Sequence, residues 1–146
     1  MIKVTEREIF EILSGKISGL INRTVLKAFV QQGLDITTEQ WTVLSCLWDK
    51  DKIIQTDICA LTQKDKPSVT RLIDNLEKKN LVMRVSDPAD RRNNLILLTP
   101  RGGAIRQKTT DVVHSIVNFA LEGIPDEELS GAKEVLIQIM NNLRAY

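Results

Sequence analysis

The sequence predicts a mainly α-helical fold that carries one small β-hairpin. Three observations predict it. Apolar residues recur at helical spacing over most of the 146 positions. Only the stretch around Leu81–Thr99 breaks that rhythm, with two β-prone runs joined by a polar, proline-containing turn. Capping residues, glycines and prolines fall where those helices have to start and stop.

The elements follow in order. Thr5-Glu-Arg-Glu8 fits a capping box. After it, Ile9, Leu13, Ile17, Leu20, Ile21, Leu26 and Phe29 keep helical spacing, so one long helix is expected over about 6–32, stopped at Gly33. Thr37 or Thr38 opens a second helix with Trp41, Leu44, Leu47 and Trp48 on one side. Ile53-Ile54 is a short strand, and Gln55–Leu61 a short helix with Gln55 or Thr56 near its cap. Lys66-Pro67 marks the next start, because the residue before proline avoids helical dihedrals and proline suits a first turn. The helix that follows turns Val69, Leu72, Ile73 and Leu76 inward, and Asn80 closes it in a left-handed conformation. Leu81–Ser86 and Leu95–Thr99 form a hairpin around residues 87–94. Thr99-Pro100 starts a further helix with Ile105, Val112, Val113, Ile116, Val117 and Ala120, which Gly123-Ile124-Pro125 breaks. The last helix opens with Asp126, Glu127 and Glu128 at the positive end of its dipole. Leu129, Ala132, Leu136, Ile139 and Leu143 then take heptad spacing. Two short helices and a hairpin between long apolar helices are the layout of a winged helix-turn-helix inside a helical frame.

Bulk properties narrow the function classes. The length is that of one domain. Glu6 and Glu8 lie where a signal peptide needs an apolar core, so a cytoplasmic location is expected. The longest uncharged run, Val112–Leu121, has ten residues, about half a membrane span, so no membrane partner is expected. Cys46 and Cys59 either pair or remain buried thiols in a reducing compartment, and the second is the expectation. Net charge is +1, but residues 64–101 hold nine Lys/Arg against five Asp/Glu, a local +4 that suits a polyanion. Catalysis has little to stand on: His114 is the only histidine, and no nucleophile triad, phosphate loop or metal-ligand cluster is spaced along the chain. Neither an enzyme nor a cofactor is expected.

Residues 87–102, Asp-Pro-Ala-Asp-Arg-Arg-Asn-Asn-Leu-Ile-Leu-Leu-Thr-Pro-Arg-Gly, resemble the wing signature of the MarR family. That signature reads Asp-Pro-x-Asp-x-Arg, five variable residues, then Leu-Thr-x-x-Gly. Asp87, Pro88, Asp90, Arg92, Leu98, Thr99 and Gly102 match it. Ser68–Val82 resembles the family's recognition helix and wing entry, and Gln40–Leu44 its second helix. Asn80 stands where the family usually has Gly, and Cys59 where it has a small Ala. The resemblance covers about residues 35–105 by motif and the rest by helix layout.

The resemblance implies a single domain over 1–146, with a dimerisation frame from 6–32 and 100–146 and a DNA-binding region over 37–99. It implies a ligand-responsive homodimeric repressor on double-stranded DNA with a pseudo-palindromic site. In the recognition helix, Ser68, Thr70 and Arg71 are placed for base edges, and Lys64 and Lys66 for phosphate. On the wing, Arg92 is expected in the minor groove, with Asp90 holding its guanidinium and Arg91 meeting phosphate or an internal carboxylate. Ile9, Leu13, Leu129, Leu136, Ile139 and Leu143 are the expected dimer contacts. A small aromatic or phenolic effector is implied, in a crevice that Phe29, Trp41 and Trp48 border. Two alternatives stay open: a winged-helix module that binds protein, and a thiol-redox regulator of the same fold using Cys46 or Cys59.

Overall fold

Thr5 and Glu8 start the first helix reciprocally in the computed structural model, which describes residues 5–146. The Glu8 amide donates to Thr5 Oγ1 at 3.3 Å, and the Thr5 amide donates to Glu8 Oε2 at 2.8 Å. The helix expected over 6–32 is not continuous. It divides into α1 (Glu6–Glu11), a π-helical turn (Ile12–Lys16) and α2 (Ile17–Gln31). The cause is Gly15, whose φ of 128° lies where only glycine goes at little cost. Apolar spacing resumes beyond it, so periodicity alone carries no trace of the break.

Thr37 caps α3 (Thr38–Asp49) in a second capping box with Gln40. β1 (Ile53–Ile54) leads into α4 (Gln55–Thr62), whose cap position is Ile54 without a side-chain bond, with Gln55 and Thr56 next to it in the first turn. α5 (Lys66–Lys78) is capped by Asp65 and carries Pro67 in its first turn. Asn80 takes φ 55°, the left-handed position that ends it.

β2 (Val82–Ser86) and β3 (Asn94–Leu98) pair antiparallel from Val82↔Leu98 to Ser86↔Asn94. β1 adds to the other side of β3 through Ile53↔Ile96, so the sheet order is β1-β3-β2. Thr99 caps α6 (Pro100–Ala104), and α7 (Arg106–Ala120) follows after an interruption at Ile105. The single helix expected from Thr99-Pro100 to Gly123 is therefore two. α8 (Asp126–Ala145) begins with its three acidic residues.

The chain forms two compact units, one ending at Ile116 and one spanning Val117–Tyr146. In the first, Phe29, Val43, Leu44, Leu47, Ile58, Val69, Ile73, Leu76 and Ile96 are exposed by 1% or less. Removing one such side chain from water contributes about 1.5–3 kcal/mol. Cys46 and Cys59 are free thiols, half-buried on the flank of this core rather than inside it. No helix among the described residues is long and apolar enough to cross a membrane.

Candidate nucleic-acid interface

The inward face of α5 is fixed by Val69, Leu72, Ile73 and Leu76, all buried. That burial decides which residues face out. Lys66, Arg71, Asn75 and Lys78 are exposed, and Ser68, Thr70 and Asp74 are half-buried. The Asp65 carboxylate anchors the start of the helix by accepting the Ser68 amide at 2.7 Å. That hydrogen bond holds the Asp65 carboxyl below the usual carboxylate range. Two predicted contact residues are already engaged. Thr70 Oγ1 accepts Gln55 Nε2 at 2.6 Å, which draws the hydroxyl toward α4. Lys64 Nζ donates to Glu39 Oε1 at 3.0 Å.

The wing tip is built by its own aspartates. Asp87 Oδ1 accepts the Ala89 amide at 2.9 Å, and Asp90 Oδ1 accepts the Arg92 amide at 3.0 Å. Each is an aspartate turn, closing on the amide two residues on. The Asn93 amide then donates to Asp90 O, and the Asp87 amide to Asn93 O, which returns the chain to β3. Asp90 thus holds the backbone of Arg92, whereas the sequence led us to expect it on the guanidinium. A short aspartate side chain reaches the near amide at no loop-closure cost. Arg91 and Arg92 are both exposed, and neither forms an ion pair among the described residues.

The second half of the signature anchors the hairpin. Thr99 Oγ1 donates to Asn80 O at 2.6 Å and accepts the Gly102 amide at 3.0 Å. The Thr99 amide donates to Leu81 O at 3.1 Å. Trp48 Nε1 donates to Gly102 O at 3.0 Å, tying α6 to α3. Asp51 Oδ1 accepts the Leu98 amide at 2.9 Å.

Sequence reasoning missed Arg84. From β2 it pairs with Asp74 Oδ1 at 2.7 Å and with the Glu77 carboxylate, and its amide donates to Glu77 Oε1 at 3.0 Å. It also reaches Thr70 O at 3.4 Å. This guanidinium fastens the root of the wing to α5, so the two elements keep one relative placement. Asp74 and Glu77 share a helix face at three-residue spacing, which is the only sequence trace of it. Lys79, the C-cap of α5, ties the same end of the helix toward α3, donating to Asp35 O at 2.7 Å and Gln40 Oε1 at 3.2 Å.

The remaining predicted residues fall in different settings. Ile9 and Leu13 are exposed at 45% each, and Phe10 and Ile17 beside them at 70% and 60%. In α8, Leu136 and Leu143 are exposed, while Leu129 and Ile139 are half-buried. Phe29 is fully buried, so its ring belongs to the core and offers no wall to a ligand crevice. Trp41 and Trp48 pack edge to face at 6.5 Å. His114 is exposed. Burial, then Asp49, pushes the Cys46 thiol up and away from the reactive thiolate. No group of three or more potential ligands able to hold a metal occurs among the described residues.

A polar-faced helix beside an arginine-tipped hairpin, both bonded to one core, defines a winged helix-turn-helix DNA-binding protein. The family model described as MarR family matches residues 36–93. The transcriptional regulator HosA of Escherichia coli O111:H- is 26% identical over 107 residues, covering 73% of this chain and 79% of HosA. The S. aureus MepR–DNA complex superposes with a TM-score of 0.84 at 27% identity, over 96% of this chain and 99% of MepR. CouR of Rhodococcus jostii RHA1, solved bound to p-coumaroyl-CoA, gives 0.75 at 27% identity over 90% of each chain. Residues 36–93 thus match the MarR family model, and the relatives that cover most of the chain are transcriptional regulators rather than enzymes.

Proposed function

We propose that the chain acts in the cytoplasm as a homodimeric, ligand-responsive repressor of a pseudo-palindromic operator. The observation that carries this is the arginine tip: Arg91 and Arg92 are exposed and without an ion pair among the described residues, on a hairpin whose root is held by Arg84, Thr99 and Gly102. A guanidinium on a rigid hairpin suits the narrow minor groove, where negative potential is concentrated. Arg92 takes that groove in this reading, with Asp90 shaping the turn and Arg91 on phosphate. Ser68 and Arg71 face base edges of the major groove, with Thr70 joining them on release from Gln55, and Lys66, together with Lys64 on release from Glu39, flanks them toward phosphate. The MepR–DNA complex supports a duplex as the partner.

The helical segments 6–32 and 100–146 form the dimer frame, and 37–99 the DNA-binding region. Exposed Ile9 and Leu13, together with the apolar positions Leu129, Leu136, Ile139 and Leu143 of α8, support a second copy as the surface that covers them. A two-fold dimer spaces its recognition helices by about 34 Å, one turn of duplex. The effector is a small aromatic or phenolic compound, a class supported by the ligand of CouR. A cleft of about 410 Å³ between α2 and α7, lined by Gln31, Lys108, Asp111 and Ser115 among others, is large enough to admit one.

Selection of bound duplexes from a random library tests the reading. An inverted repeat with half-site centres about 10 base pairs apart is expected. Arg92→Ala should then weaken binding to the selected site by about 1–3 kcal/mol with an unchanged circular dichroism spectrum. Equal affinity of the two proteins would remove Arg92 from the interface.

A further inference from the structure

Lys64 and Glu39 meet at the edge of the recognition helix. Glu39 lies in the first turn of α3, and Lys64 immediately precedes the Asp65 cap of α5. Their charged atoms are 3.0 Å apart, with side-chain exposures of 27% for Lys64 and 60% for Glu39. With Ser68, Arg71, Leu72 and Asn75 they line one cavity of about 320 Å³ along the edge of α5. The cavity therefore holds two cations and a hydroxyl on the face offered to DNA, with one carboxylate among them. Glu39 has no role in capping α3, which Thr37 and Gln40 accomplish. Lys64 is its one hydrogen-bond partner among the described residues.

We propose that Glu39 attenuates DNA binding by holding Lys64 in an internal ion pair that a backbone phosphate has to displace. The inference rests on the DNA-binding reading above. A lysine that already has a carboxylate gains little by exchanging it for a phosphate. The released Glu39 stays beside the incoming polyanion, well within the Debye length of about 8 Å at physiological ionic strength. An exposed ion pair of this kind is weak, so the attenuation is partial and readily reversed. Neutralising Glu39 frees the ammonium and removes the repulsion together.

The test uses the full chain and a random-sequence duplex of about 30 base pairs, titrated by fluorescence anisotropy at several salt concentrations. Glu39→Gln should bind about three- to tenfold tighter at low salt, and its log–log salt slope should steepen by up to about 0.9, because a Lys64 no longer compensated by Glu39 counts as one full cation against phosphate. In a Lys64→Ala background only the repulsion is left to remove, so the same substitution should tighten binding by a clearly smaller factor, about half the wild-type gain on a logarithmic scale. Thermal melts of each variant establish that all are folded. If the wild type binds and Glu39→Gln is no tighter, the attenuation is refuted while the DNA-binding reading stands. If Glu39→Gln tightens binding equally in both backgrounds, the effect is general repulsion and the role of the pair is refuted. If neither protein binds any duplex at low salt, the DNA-binding reading falls and the attenuation with it.

Discussion

Gly102→Ala perturbs the point where wing, α3 and α5 meet. An alanine Cβ there would lie 2.0 Å from Leu81 O, 3.0 Å from Leu81 C and 3.2 Å from Leu98 Cδ2, where ordinary contact begins at 3.4 Å. The nearest atom is backbone, so no side-chain rotation relieves the overlap. Leu81 O accepts the Thr99 amide, and Gly102 O accepts Trp48 Nε1. Moving either strand of this crossing strains one of those bonds. Overpacking costs about 1–3 kcal/mol and a weakened internal hydrogen bond about 1 more, so a loss of about 2–4 kcal/mol is expected. For a chain of this size that lowers Tm by roughly 5–15 °C. Urea and thermal melts at one fixed protein concentration measure it, since any dimer makes stability concentration-dependent. Gly103→Ala is the internal control: its Cβ meets nothing within 4 Å, and it lies within α6. It should be neutral or stabilising by up to about 1 kcal/mol. A Gly102→Ala protein within about 0.5 kcal/mol of wild type, or a Gly103→Ala protein equally damaged, would refute the steric argument.

Two further outcomes are expected besides those given for Arg92 and Glu39. Leu136→Glu places a charge on the exposed apolar face of α8 and should raise the dimer dissociation constant at least about tenfold, read by sedimentation velocity; an unchanged dimer would take Leu136 out of the interface. Asp65→Asn keeps a capping side chain but removes the charge. The Ser68 amide lowers the Asp65 pKa in the folded state, so the stabilisation is present above the ordinary carboxylate pKa and is lost as pH falls through the lowered one. The stability difference between wild type and Asp65→Asn should therefore be largest near neutrality and shrink in acid; urea midpoints showing a pH-independent difference would refute the assignment.

Much of the fold was legible because its signals are local. Thr5 with Glu8, and Thr37 with Gln40, lie three residues apart and close their bonds within one turn. Asn80 marks the end of α5 through its own dihedral angle. The apolar period of α5 states which face goes inward, and so leaves Arg71 outside. Proline and aspartate at 87–90 announce a turn, although the chain alone left open which atoms Asp90 would bond. The misread elements share a cause. Gly15 and Ile105 interrupt helices whose apolar spacing continues on both sides.

The order of elements, the inward face of α5, the helix starts at Thr5, Thr37 and Thr99 and the arginine-bearing hairpin were determined by the sequence itself, because each depends on hydrogen bonds or side-chain period over a few residues. The tertiary structure alone decided which charges are free. Arg84 is taken by Asp74 and Glu77, Lys64 by Glu39 from 25 positions away, and Thr70 by Gln55, whereas Arg91 and Arg92 pair with no carboxylate among the described residues. It also made Phe29 core and required glycine at 102. A long charged side chain pairs with whatever packing brings beside it, and a buried backbone crossing admits only what its neighbours leave room for.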